Sequence, residues 1–460
     1  MEGAVADYLE HASDRHVAEL RELLRIPSVS TAPEHGDDMA ACAQWLLAHL
    51  ERIGLEHVRL LETGGNPIVY GDWLHADAAP TVLVYGHYDV QPSAPNELWD
   101  SPPFEPEVRD GRLYARGATD NKGQIFAALA ALEALLAVDG SLPCSVRILI
   151  EGEEELSADN LTAFLTANAG TEVLEADLAL ITDSGILGAE TPGVTTALRG
   201  MAAMQFTLRT AASDLHSGVY GGAVPNAPLA LAQLLATLKD PATGRILVEG
   251  FYDDVRPIPD EERRAWASLP HDDAELAAEL GVTSLAGEEG FTTLERMWGR
   301  PTLDVTGAWG GHTGAGLKTI IPAEAHATVS CRLVPDQDAE RVLEVLERHL
   351  RAHAPAGAAF TVDWILPGCW PIVLAADDPA IEAALAAAEE GFGRPATVFR
   401  AGWSVPIVEL FKRIVGLDSV LLGFSLPDEN MHAPNEFIRL DVFDRGVRTY
   451  AAFLANVANR

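Results

Sequence analysis

The sequence predicts an α/β protein: a mostly parallel sheet with helices on both faces, plus an inserted, smaller α+β domain. Three observations carry this. Short apolar, β-branched runs recur at Thr81–Tyr85, Ser145–Ile150 and Leu178–Ile181, and they have the length and composition of fully buried strands. Segments rich in strong helix formers alternate with them, Gln124–Val138 above all. Near Thr195 the register changes to a long alternating stretch, Leu198–Ala212, which opens a β-α…β-α-β order. The alternation of strands and helices implies parallel strands joined by crossovers.

In chain order, Tyr8–Leu24 has helical spacing and stops at Pro27. Asp37–Ile53 is a second amphipathic helix, closed by Gly54, and Val58–Leu61 and Ile68–Tyr70 read as strands. After the long alternating stretch, Asn226–Lys239 is a helix with Pro228 in its first turn. Residues 241–300 read as polar and irregular. Ala325–Leu333 is a strand, Asp338–His353 a helix and Phe360–Ile365 a strand. Pro379–Phe392, Ser419–Leu422 and Val442–Ala458 return as helix, strand and helix to the first sheet. The expected domains are 1–194 and 369–460 for the two parts of the first, and 195–368 for the insertion.

A chain of 460 residues with 48% hydrophobic content can bury a sizeable core, and its net charge of −36 argues against nucleic acid or anionic membrane as partners. Cys42, Cys144, Cys331 and Cys369 form no C-x-x-C pair. No apolar run reaches membrane-span length, and Met1–Arg25 lacks a signal-type apolar core, so a cytoplasmic protein is expected. Only Lys122, Lys239, Lys318 and Lys412 are lysines among 32 basic residues, and two of these sit in Gly-rich stretches.

Three predicted strands run into acids or His: His87 and Asp89 after the first, Glu151 to Glu155 after the second, Asp183 after the third. His87 and Asp89 are two apart and point the same way on an extended backbone. Asp120 lies at a helix start, in a turn bracketed by Gly117 and Gly123, and His432 lies in a turn near the C-terminus. Ligand sites of α/β sheets lie at the carboxyl ends of strands. Three carboxylates with two imidazoles suit zinc or manganese and exceed what one catalytic zinc needs. Two metals sharing one carboxylate would use them all.

Four stretches carry a resemblance: Gly86-His87-Tyr88-Asp89-Val90, Gly117-Ala118-Thr119-Asp120-Asn121-Lys122-Gly123, Glu151-Gly152-Glu153-Glu154-Glu155 and Asp214-Leu215-His216-Ser217-Gly218. Together they resemble the dizinc metallopeptidase family of carnosinases, dipeptidases, glutamate carboxypeptidases, aminoacylases and succinyl-diaminopimelate desuccinylase, and most of all its carnosinase and cytosolic dipeptidase branch. The resemblance implies a zinc-peptidase-like catalytic domain with an inserted lid or dimerisation domain, two divalent ions per subunit (zinc first, manganese or cobalt next) and a homodimer. It implies that His87 and Asp183 hold one metal, Glu155 and His432 the other, and that Asp120 bridges them. Asp89 then orients His87, Glu154 is the general base, and His216 is supplied from the partner subunit to the developing oxyanion. Arg332 matches the family's substrate-carboxylate Arg, and Thr319 and Ser404 match further substrate contacts. The peptide bond after Asp120 is often cis in this family. Asn121 stands where many relatives have Asp or Met. Residues 366–370 have no His where carnosinase-like relatives contact substrate, which points away from carnosine.

The implied reaction is hydrolysis of an amide in a dipeptide or short peptide with a free C-terminal carboxylate, by a metal-activated water. An N-acyl-amino-acid amidohydrolase or desuccinylase would use the same chemistry. A non-catalytic peptide-binding protein would have lost a ligand or Glu154, and metal storage needs neither base nor clamp.

Overall fold

The computed structural model describes residues 3–375 and 378–459, without the side chain of Pro367. The chain divides into two compact units. The larger comprises Met1–Thr196, Leu374–Phe399 and Ile407–Arg460, and the smaller Ala197–Val373 with Arg400–Pro406.

In the larger unit the strand order is Glu56–Leu61, Ile68–Trp73, Ser145–Glu151, Thr81–His87, Leu178–Ile181, Ser419–Leu421, Gly193–Leu198. The four strands from Ser145–Glu151 to Ser419–Leu421 are parallel. The strands outside them add antiparallel. Every residue of Ser145–Glu151, and all of Thr81–His87 except Thr81, is buried, as expected for parallel strands covered on both sides. The register decides where the chemistry falls. His87 pairs with Glu151 and Tyr85 with Ile181, so three chain segments leave the sheet side by side at the carboxyl edge.

The helix Lys122–Asp139 begins two residues before the expected Gln124 and ends on Gly140 at φ 67. Residues from Lys122 to Leu135 are buried throughout, and the helices Ala4–Leu24 and Leu440–Ala458 pack on it. Its many alanines let these neighbours approach closely. Lys122, singled out by sequence, is fully buried and donates to the carbonyls of Leu23 (3.3 Å) and Ile26 (2.8 Å), the chain end of the first helix.

In the smaller unit an antiparallel sheet runs in the order Thr302–Gly310, Glu324–Leu333, Gly200–Arg209, Ala359–Cys369. Strand Glu324–Leu333 alternates strictly. Ala325, Ala327, Val329, Cys331 and Leu333 are buried, and His326, Thr328, Ser330 and Arg332 take the other face. The helices Ala227–Leu235 and Ala339–His353 cover the apolar face, the latter through Val342, Leu343, Leu346 and Leu350. Each such buried aliphatic side chain contributes about 1.5–3 kcal/mol relative to an exposed one.

Three expectations change in detail. The expected strand Leu198–Ala212 is the shorter Gly200–Arg209, and a separate strand, Gly193–Leu198, precedes it, with Arg199 between them turning its side chain to the Gly402 carbonyl at 2.8 Å. Strand Thr302–Gly310 is not foreseen from the sequence, because its exposed outer residues blur the alternation. Residues 241–300 contain three short helices, Asp260–Ala267, Asp273–Glu279 and Thr293–Trp298. The last starts on a capping box between Thr292 and Glu295, a signal present in the sequence but diluted by its polar surroundings. Among the described residues no helix is long and apolar enough to cross a membrane.

Candidate metal centre

Strand Thr81–His87 delivers His87, fully buried, to the carboxyl edge of the sheet. Its Nδ1 lies 3.3 Å from Asp89 Oδ1 and its Nε2 lies 3.2 Å from Asp120 Oδ1 and 3.9 Å from Asp183 Oδ2. Asp120 comes from the Gly-bracketed turn before the long helix. Gly117 sits at φ 82, and a Cβ on Gly123 would lie 2.0 Å from the Ala118 carbonyl oxygen, so both positions require glycine. The Asp120–Asn121 peptide is cis. The second oxygen of Asp120, Oδ2, meets His432 Nε2 at 2.7 Å, and His432 Nε2 lies 3.2 Å from Glu155 Oε1.

Two clusters result, His87–Asp120–Asp183 and Asp120–Glu155–His432, each with ligating atoms within 4.8 Å of one another. They share Asp120, one oxygen to each imidazole. Glu155 Oε1 is buried without a hydrogen-bond partner. With only the His432 imidazole opposite it at 3.2 Å and no hydrogen bond, such a buried carboxylate oxygen is costly unless a cation meets it. The donor set of imidazole nitrogens and carboxylate oxygens around it fits a pair of divalent ions.

Charge balance points the same way. Burial opposes a charge on His87, yet Asp120, Asp89 and Asp183 outweigh it and hold the imidazole pKa well above its ordinary value. The hydrogen bond to Asp120 and the nearby Glu155 carboxylate push His432 up to about 10. Burial and the charge of Asp120 push Asp183 up to about 7. Burial, with Asp183, Glu155 and Asp120 against the pull of His87, raises Glu154 well above the carboxylate range. The metal-free cluster therefore keeps protons where cations would serve, since it has more buried carboxylates than positive partners.

The acidic run after Ser145–Glu151 splits by role. Glu151 is buried and bonded by Tyr85, and burial raises its pKa to about 8. Glu153 is buried too, accepting from the Asn66 amide N–H (3.0 Å) and Asn160 Nδ2 (2.7 Å). Asp89 holds the corner that follows: its Oδ1 accepts the Glu154 N–H at 3.3 Å, and its Oδ2 accepts the Glu155 N–H at 3.0 Å and the Ser30 hydroxyl at 2.7 Å.

Several contributors were not legible as site residues. Asn121 Oδ1 accepts the His87 N–H at 3.3 Å and its Nδ2 donates to Asp183 at 3.5 Å. Glu436 and Glu429, both fully buried, brace the Asp120 loop. Glu436 takes the N–H groups of Gly117, Thr119 and Asp120 at 2.9–3.1 Å and the Arg116 guanidinium at 2.7 Å, and Glu429 takes the Thr119 hydroxyl at 2.6 Å. Their only sequence signal was closeness to His432.

A third acid–His cluster, Glu19, His49 and Glu133, has ligand-like spacing. The Arg52 guanidinium already fills it, with Nη2 at 2.8 Å from Glu19, 3.1 Å from His49 and 3.6 Å from Glu133, so a metal there would face a fixed positive charge.

The remaining residues named from sequence lie in the smaller unit. Arg332 Nη1 donates to the Ser404 hydroxyl at 2.8 Å, and that hydroxyl donates to the Arg199 carbonyl at 2.5 Å. The excursion Arg400–Pro406 is what brings Ser404 to Arg332. Arg199 keeps a buried Nη1 without a partner, and burial together with the Arg332 charge lowers its pKa to about 10. His216 pairs with Ile320 in a two-residue ribbon, and the exposed Thr319 follows on from it, its carbonyl accepting the Ser217 N–H at 3.0 Å. The Gly218 N–H donates to His216 Nδ1 at 3.1 Å, so in the neutral ring Nε2 carries the proton and is a donor.

A family model described as Peptidase family M20/M25/M40 matches residues 83–456. The chain belongs to this peptidase family. Among its relatives, a Cys-Gly metallodipeptidase of Candida albicans is 29% identical, over 97% of this chain and 96% of the relative. The human Beta-Ala-His dipeptidase is 28% identical, over 99% of this chain and 92% of the relative. An M20 family metallo-carboxypeptidase of Sulfolobus solfataricus has the same fold with a TM-score of 0.86, at 32% identity, covering 97% of this chain and 99% of that one. The two dipeptidases match the carnosinase and cytosolic dipeptidase branch to which the motifs point.

Proposed function

We propose that this protein is a two-metal dipeptidase that hydrolyses dipeptides or short peptides with a free C-terminal carboxylate. One observation carries the reading: Asp120 divides its two oxygens between His87 and His432, each of which faces a further carboxylate. The relatives named above are a Cys-Gly dipeptidase, a Beta-Ala-His dipeptidase and a carboxypeptidase, and all three names fit cleavage of a peptide with a free carboxyl end.

His87 and Asp183 would hold one ion, Glu155 and His432 the other, and Asp120 both, with zinc the first expectation from the mixed imidazole–carboxylate set. When bound, the ions lower the pKa of water toward neutrality. Glu154 takes the proton from the attacking water and returns it to the leaving amine. Asp89 keeps Glu154 in place through its backbone N–H and orients His87. His216 donates from Nε2 to the oxygen that gains charge, and Arg332, set by Ser404, pairs with the substrate carboxylate, with Thr319 as a further contact.

The reading includes a homodimer in which the inserted unit serves as lid and dimerisation domain and His216 serves the partner's site. Support comes from apolar exposure near His216, with Val219 at 66% and Leu317 at 93%. A cytoplasmic location fits the buried thiols of Cys42, Cys144 and Cys331, none in a disulfide. The deciding experiment is a panel of dipeptides, tripeptides, their C-terminal amides and N-acyl amino acids against the metal-reconstituted protein. Turnover of N-acyl amino acids with no turnover of dipeptides would replace this reading by the amidohydrolase.

A further inference from the structure

The chain leaving strand Thr81–His87 grips the Glu154–Glu155 corner twice. Asp89 takes the two backbone N–H groups. Two residues on, Gln91 Nε2 donates to Glu155 Oε2 at 2.8 Å. The orientation of that amide is fixed by chemistry, because a carboxylate in this setting can only accept and the NH2 end must face it. Glu155 is thereby divided: Oε2 is engaged by an amide, while Oε1 is buried, makes no hydrogen bond and lies 3.2 Å from His432 Nε2.

A carboxylate can bind a cation through one oxygen or two. We propose that Gln91 is a positioning residue that commits Glu155 to one-oxygen ligation through Oε1. Occupying a lone pair of Oε2 and holding the side chain in one rotamer make Oε2 the outer oxygen. Without the amide, the carboxylate is free to rotate and present both oxygens, which raises the coordination number and loosens the site. Outer partners of this kind set ligand orientation, and their loss costs roughly 10–100-fold in metal affinity. The inference rests on the reading of Glu155 as a metal ligand, and it assigns the selectivity of that ligand to a residue outside the ligand set. Among the described residues Gln91 makes no hydrogen bond to another proposed ligand, so its effect should fall on one metal position.

The test is titration of the metal-free, full-length protein with Co2+, followed by heat of binding and by the visible absorption of the ion, with no activity assay needed. Wild type should bind two equivalents. Gln91→Met, which keeps length and removes the donor, should weaken one equivalent by roughly 10–100-fold and leave the other unchanged, with a weaker absorption band as coordination number rises. Gln91→His, whose Nε2–H is an uncharged donor of similar reach, should recover affinity and spectrum, a rescue that a merely structural role would not produce. If Gln91→Met does not fold, Gln91→Ala takes its place with the same expectation. Two equivalents with wild-type affinity and spectrum in the Met or Ala variant would overturn the inference. Failure of the underlying reading looks different: wild type binds no second equivalent, or Glu155→Gln binds both as wild type does.

Discussion

Glu436 Oε1 accepts the backbone N–H of Asp120 at 3.1 Å, although the two residues lie 316 positions apart. The same carboxylate takes the N–H groups of Thr119 and Gly117 and the Arg116 guanidinium, and it is fully buried. The turn that presents the Asp120 carboxylate is therefore wrapped around an acid from the far end of the chain. Replacing Glu436 by Ala leaves Arg116 charged and buried without its partner, which costs about 3–5 kcal/mol. The urea midpoint of the metal-free Glu436→Ala protein should fall accordingly, and metal binding should weaken at both positions, because Asp120 serves both. An unchanged midpoint would mean that the Arg116 pair is dispensable.

Glu154 and Glu155 are adjacent but should separate cleanly. Glu154→Gln removes the proton carrier, and kcat should fall by roughly 10²–10⁴-fold with metal content near normal. Glu155→Gln should lose one equivalent of metal. Elemental analysis of both purified variants decides between them, and the reverse pattern would exchange their roles.

Arg332 should matter only to substrates with a free carboxylate. Arg332→Ala loses a charge-assisted pair, so kcat/KM should drop for dipeptides and stay nearly constant for their C-terminal amides. Equal loss on both would assign Arg332 to structure, through its bond to Ser404.

His216→Ala and Glu154→Ala, each inactive alone, should complement when mixed under subunit exchange. In a mixed dimer one site combines an intact Glu154 with the partner's His216. Random exchange leaves half of the dimers mixed with one live site of two, so roughly a quarter of wild-type activity should return for a two-fold dimer. No recovery despite proven exchange would confine His216 to its own chain.

Chelation should change the pH dependence of stability. His432 is raised from 6.5 to about 10 by Asp120 and Glu155. Its contribution is fully present below 6.5 and is lost as pH rises through about 10, so the metal-free protein should lose stability across that window. Asp183, raised to about 7, acts in the same sense at lower pH. Metal binding displaces these protons, so at pH 7 it should release them, and calorimetry in buffers of different ionisation enthalpy should read the release. Proton uptake on binding would contradict the charge balance of the cluster.

Local signals were legible where a residue's environment is set by its neighbours in sequence. His87, Asp89 and Asp183 stand at the exits of apolar strands, and strand ends could be read within a residue or two because parallel strands are buried on both sides. The helix after Asp120 was legible from its Ala and Leu content, and the glycines of the turn from their bracketing positions. Elements with a weak local pattern were not. Strand Thr302–Gly310 is mostly exposed, and the helices within 241–300 are short and polar. The break at Arg199 falls where the chain passes from one sheet to another, which no local pattern announces.

The sequence by itself therefore determined the fold class, the family and the segments from which candidate ligands come, because hydrophobic periodicity and turn chemistry act over a few residues. Only the tertiary structure decided how those segments are held. It divided the Asp120 carboxylate between His87 and His432, wrapped the Asp120 turn around Glu436, set Gln91 on one oxygen of Glu155 and brought Ser404 to Arg332. These contacts join residues from 33 to 316 positions apart, and packing and charge balance, not local propensity, select them.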